Sequence, residues 1–192
     1  MKRLLIGCLV VILLPGCSSS LDQDQYVRWV ESYEHGLRVR TTVNDYTLDV
    51  QYKPTDYVAL QRMDYNDASQ SFNVARNAAE KLQYYTLTIS TNQPENDLLR
   101  QGSLAEKQRL LYYFSYELQH AIRLEEGGTK LPCVLYHFER SYDLKPRHTF
   151  VLGFERPVAN PEQATLVIDP PLFSPKPIRI TLNKQNIPTL QL

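Results

Sequence analysis

The chain has 192 residues, with 21 basic side chains against 21 acidic ones, 43% apolar residues and 22% charged. Those proportions belong to a globular chain and exclude wholesale disorder. The charge balance excludes a general nucleic-acid binder, which needs a basic field.

Lys2 and Arg3 precede an apolar run from Leu4 to Leu14, eleven residues long. A helix crossing the bilayer core needs ~20 residues, so this run is too short to span. A charged start, a short apolar core and a small-residue exit describe a secretory signal. The exit reads Leu14-Pro15-Gly16-Cys17, followed by Ser18-Ser19-Ser20. It resembles the lipobox of bacterial lipoproteins; Pro15 departs from the commonest form, which has a small residue there. The resemblance implies that residues 1–16 are removed, that the Cys17 thiol receives a diacylglycerol, and that the new amine is acylated. It also implies a cell-envelope location. Serine after the cysteine, where some members carry a retention aspartate, points to the outer membrane in a cell that has one. Two or three acyl chains hold durably where one is marginal, so the lipid bilayer is the first expected partner.

Loss of Lys2 and Arg3 leaves a mature net charge of −2. Cys8 leaves with the signal, and Cys133 then has no disulfide partner, so the fold must hold by its core alone. Residues 17–25 read as the lipidated cysteine and a polar tether, and 26–192 as one domain.

Tyr26, Val30, Tyr33 and Leu37 recur at helical spacing, with Gly36 as a stop. Alternating runs at Leu37–Val43 and Tyr46–Tyr52 flank Asn44-Asp45 and predict a β-hairpin. Thr55 caps a predicted helix through Met63, and Asp67 a second one with Phe72, Ala75, Ala79 and Leu82 on one face. Leu82–Thr91 reads as a strand. Ser103 and Glu106 form a capping box for a helix to about Tyr112. Phe114, Tyr116, Leu118, His120, Ile122 and Leu124 alternate, which predicts a strand over 114–125 leading into a Gly127-Gly128 turn. Nine of the eleven mature prolines lie at or beyond Pro132, so long helices are disfavoured there. Strands are predicted near 132–139, 148–156, 164–168 and 177–183. The fold class is α+β: helices and strands mixed in the first half, mostly antiparallel β in the second.

No nucleotide, hydrolase or zinc motif is present, and no cofactor is expected. His137 and Glu139, two apart on a predicted strand, would share a face and suit a metal or an acid–base pair. His120 or His148 would supply a further ligand from a neighbouring strand. Cys133 lies four strand residues from His137, ~13 Å, beyond reach of that histidine as a base, and Pro132-Cys133-Val134-Leu135 reads as core. Thirteen tyrosines, including Tyr84-Tyr85 and the Tyr112–Tyr116 cluster, suit half-wet sheet faces or a partner-binding surface. The leading expectation is a membrane-anchored, non-enzymatic envelope lipoprotein that binds or supports a protein or glycan partner. The alternatives are a lipid-anchored hydrolase or metal-dependent enzyme using His137 and Glu139, and a lipoprotein that binds a glycan or small ligand.

Overall fold

The computed structural model describes residues 20–64, 68–91, 93, 97, 99, 102–139, 147–157, 161–169 and 174–192. Residues 1–19, with Cys17 and the segment expected to be signal and lipobox, lie outside them, as do Asp67, Tyr65 and Tyr142. Among the described residues, no helix is long and apolar enough to cross a membrane.

Two residues of strand β1 (Ser20–Leu21) lead directly into helix α1 (Gln23–Glu31). Asp22 is the N-cap, and its carboxylate accepts from Gln25 N at 2.8 Å. Ser20–Gln25, expected as part of a tether, is thus strand and capped helix. The helix stops at Glu31 and Gly36 serves the turn that follows. Strands β2 (Arg38–Val43) and β3 (Tyr46–Lys53) form the predicted hairpin, with Asn44 at φ 53° in its two-residue turn. Helix α2 (Thr55–Arg62) starts one residue after Pro54 with no side-chain cap, so Thr55 is its first residue and not its N-cap. Helix α3 (Ala68–Ala79) and strand β4 (Leu82–Thr91) follow as predicted.

Helix α4 (Leu104–Tyr112) begins at the complete Ser103–Glu106 capping box. The strand expected over 114–125 is a correction: the chain stays helical through a π-helical segment (Tyr113–Glu117) and helix α5 (Leu118–Ala121). Strand β5 begins only at Ile122 and runs to Glu126. Phe114 and Leu118, one helical turn apart, are buried, whereas Tyr116 and His120, which alternation would place beside them, are exposed. Gly127-Gly128 then turns β5 into β6 (Thr129–Glu139). Strands β7 (Arg147–Glu155), β8 (Gln163–Ile168), β9 (Ile178–Asn183) and β10 (Thr189–Leu190) complete the chain.

Eight strands form one antiparallel sheet in the order β2-β3-β4-β7-β6-β5-β8-β9. The β-structure is therefore shared by both halves of the α+β chain. The sheet curls until its edges meet, in a near-barrel: Asn183 N donates to Gly36 O at 3.0 Å. A Cβ on Gly36 would lie 2.8 Å from Asn183 Cβ, and its φ of +79° favours glycine too. Inward residues of every layer join one core, including Tyr26, Leu87, Phe114, Phe150, Phe154, Leu166 and Leu182.

Helices close the two ends. At the end where β3 finishes, Gln51 Nε2 donates to Val30 O of α1 at 3.3 Å, and Tyr57 Oη to Glu31 Oε1 at 2.6 Å. At the opposite end, where β7 begins, Phe114 of the π segment packs on His148, Phe138 and Phe150. Helices α2 and α3 cover part of the outer face through Val58 and Ala79 on Tyr84.

On the outer face of β2 and β3, Asp49 accepts a bidentate pair from Arg38 at 2.8 and 3.0 Å. Arg40 adds a bond at 2.9 Å, and the Tyr33 hydroxyl donates to the same carboxylate. Burial alone would raise the pKa of this group, but the bonds from Arg38, Tyr33 and Arg40 outweigh it and hold the carboxyl below its ordinary value. A lowered native pKa means that the stabilisation is complete above the ordinary carboxylate range and is lost as pH falls below it, through the native pKa. Asp49→Asn is expected to cost about 1–3 kcal/mol at neutral pH. The gap in melting temperature between the two proteins should begin to narrow as pH falls below the ordinary Asp value of about 3.9, and keep narrowing as pH falls through the lower native pKa. A gap that widens or stays constant over the whole acid limb would refute the assignment.

Candidate functional site

The sheet alternation decides where the four nominated residues point. His137 and Glu139 of β6 lie opposite Val151 and Thr149 of β7, on the outer face, and both are exposed. His148 lies on β7 among the alternate set His148, Phe150, Leu152 and Phe154, which faces the core. His120 is exposed on α5, a helix and not the neighbouring strand that was expected. His137 and Glu139 thus share a face as the spacing implied, while His148 is on the other side of the sheet. Among the described residues, no three His, Cys, Asp or Glu side chains are grouped to hold a metal ion.

Cys133 is also turned away from His137. The pairing shifts between Cys133 and Leu135, a bulge that sends Cys133 to the inner face opposite Phe154 and Leu135 to the outer face opposite Gly153. A Cβ at Gly153 would lie 2.8 Å from Leu135 Cβ, so only glycine admits that close approach. Burial pushes the Cys133 thiol up to about 11, and its Sγ donates to Leu135 O at 3.1 Å. This is the environment of an inert core thiol.

Two pairings join residues that no local pattern connects. His148 Nε2 lies 2.9 Å from Asp97 Oδ1, which also accepts from Leu99 N at 2.8 Å. The imidazole is flanked by the rings of Phe114 at 5.6 Å and Phe138 at 6.2 Å. An imidazole–carboxylate pair is the orienting half of a nucleophilic site, but here both His148 and Asp97 are buried, the imidazole against aromatic rings. Its effect here is to hold Asp97 against β7. At the α1 end, the buried Glu126 carboxylate meets Lys184 Nζ and accepts from Gln83 Nε2 at 2.7 Å.

The tyrosines divide by environment. Tyr26, Tyr52, Tyr57, Tyr84 and Tyr85 are buried, and Tyr33 belongs to the Asp49 cluster. Tyr112 and Tyr116 are 56% and 60% exposed, and Leu104 on the same helix is 73% exposed. The π segment produces this presentation. Leu118 N bonds to Tyr113 O, five residues back, and Ser115 Oγ donates to Leu111 O at 2.7 Å. Tyr136 Oη donates to the Phe114 carbonyl at 2.5 Å and fixes the segment to β6. The wider turn drives Phe114 inward and leaves Tyr112 and Tyr116 outside with ring centroids 5.2 Å apart. On the same helical stretch Glu106, Arg109, Leu110, Tyr113 and Glu117 line a groove of about 430 Å³.

A second hollow of about 440 Å³ lies on α1, lined by Leu21, Gln25, Arg28, Trp29, Ser32 and His35. The Trp29 and His35 rings stack there with centroids 4.3 Å apart and planes 7° from parallel. The polar composition of residues 18–25 reads as a tether and masks the helix that starts within it. The Asp22–Gln25 spacing, an N-cap acid three residues ahead of its partner, was the available signal. Comparison of the chain with known proteins matched no family model, no curated protein and no solved structure.

Proposed function

We propose that the protein is a lipid-anchored envelope protein that works by binding, with the α4 and π-helical face as its contact surface. On this reading Cys17 is acylated, the chain is held at the outer membrane where the cell has one, and a second envelope protein is the partner. The supporting observation is the exposure of Tyr112 and Tyr116 on the helical stretch that also carries an apolar groove rimmed by Glu106, Arg109 and Glu117. Aromatic anchors around an apolar centre with a charged rim are the usual anatomy of a protein contact. π-helical turns inside α-helices are frequent at functional positions.

The test is an in-cell photocrosslink from position 116, with a second probe at Thr165 on the sheet as control. A single envelope protein is expected at position 116 alone, and its yield should fall when Tyr112→Ala is added or when Cys17→Ser removes the anchor. Equal labelling from both positions, or none from a folded protein, would overturn the reading.

A further inference from the structure

The described chain begins at a fixed point on the body of the protein. Ser20 and Leu21 pair in parallel with Thr189 and Leu190. Gln191 N donates to Leu21 O at 2.8 Å, and Gln191 Nε2 to Ser20 Oγ at 2.9 Å. Helix α1 starts two residues later under its own cap. Only Ser18 and Ser19 separate Cys17 from Ser20, and three peptide units fully extended span about 10 Å. An acylated Cys17 therefore holds the surface around β1 and α1 against the headgroup layer.

That surface has the chemistry for such a contact. Leu21, Arg28, Trp29 and His35 surround the open hollow described above. Trp29 is the one tryptophan of the chain, half-buried, with its indole laid flat on His35. An indole has a large apolar body and a polar N–H, the combination enriched at membrane–water interfaces. Arg28, one position before it, has an apolar stem and a charged head that reach outward. A protein partner on this side would have to fit within the same ~10 Å of extended chain.

We infer that the α1 face is the membrane-facing side, with Trp29 at headgroup depth and the α4 end directed away from the bilayer. The inference rests on the acylation proposed for Cys17. It goes further in assigning an orientation and a lipid-contact residue.

The single tryptophan supplies the test. The native protein, extracted in detergent, is reconstituted into phosphatidylcholine vesicles containing a lipid with a nitroxide at the headgroup. Mass spectrometry of its N-terminal peptide is run on the same sample. A second protein, Trp29→Phe with Tyr116→Trp, moves the reporter to the opposite end of the fold. With acyl chains found on Cys17, Trp29 emission is expected to fall strongly, while the Tyr116→Trp reporter keeps its emission. Acylated protein in which Trp29 is unquenched, or in which both reporters are quenched equally, overturns the orientation and leaves the anchor intact. An unmodified Cys17 overturns the anchor and this inference with it.

Discussion

Lys184→Met is expected to lower the stability of the protein by about 3–5 kcal/mol, because it strands a buried carboxylate. The Lys184 side chain is 4% exposed and that of Glu126 0%. The ammonium meets Glu126 Oε1, lies 3.1 Å from Gln83 Oε1, and stands 5.3 Å from the centre of the Tyr52 ring. Gln83 completes the set by donating to Glu126 and, at 3.2 Å, to Glu155 O. Every charge in the cluster is therefore answered by another polar group. Removing the ammonium alone leaves Glu126 with one neutral donor in an apolar end of the core. Adding Glu126→Leu to Lys184→Met should restore most of the loss, since a buried pair replaced as a unit is often near neutral. Urea denaturation of wild type, single and double variants measures both effects. A single-variant loss below about 1 kcal/mol would show that water reaches the cluster and answers the carboxylate.

The second large effect is expected at Phe114, where truncation to alanine should cost about 3–5 kcal/mol. Its ring is fully buried and lies 5.5 to 5.8 Å from those of Phe150, His148 and Phe138. Phe114→Ala removes the plug between the π segment and the inner face of β6 and β7. The same residue sets the phase of the π segment, so its loss also frees the segment to relax towards ordinary α-helix. Denaturation measures the first consequence. The accessibility of Tyr112 and Tyr116 to a surface-labelling reagent measures the second. Phe114→Leu should keep most of the packing and the labelling pattern. Equal losses for the leucine and alanine variants would mean that the ring edges, not the filled volume, hold the segment.

The parts of the fold legible in the sequence are those fixed by neighbours along the chain. Asn44-Asp45 and Gly127-Gly128 are short turns between alternating runs, and both are hairpins. Ser103 and Glu106 satisfy each other's backbone donors within one turn, and the capping box is complete. Residues 114–125 misled because a π turn breaks the helical period. The apolar positions 114, 118 and 122 fit a helix, and the tyrosine and histidine between them imitate a strand. The pairings around the candidate sites are long-range, and no window of sequence contains them. His148 is 51 residues from Asp97, and Lys184 is 58 from Glu126. The Cys133 bulge was hidden for another reason. One extra residue in β6 exchanges the faces of everything after it, and alternation alone does not show where the exchange occurs.

The pairing of β1 with β10 also imposes an order on events in the cell. Ser20 and Gln191 are bonded across a sequence separation of 171 residues. During synthesis β1 has no strand to join until Thr189 and Leu190 have been made. On the acylation proposed for Cys17, the modifying chemistry would meet a chain whose β1 is not yet held, and pairing of β1 would then draw the finished domain towards its anchor. Thr189, Leu190 and Gln191 thus act as a latch, and their removal would release Ser20 and Leu21 from the body of the protein.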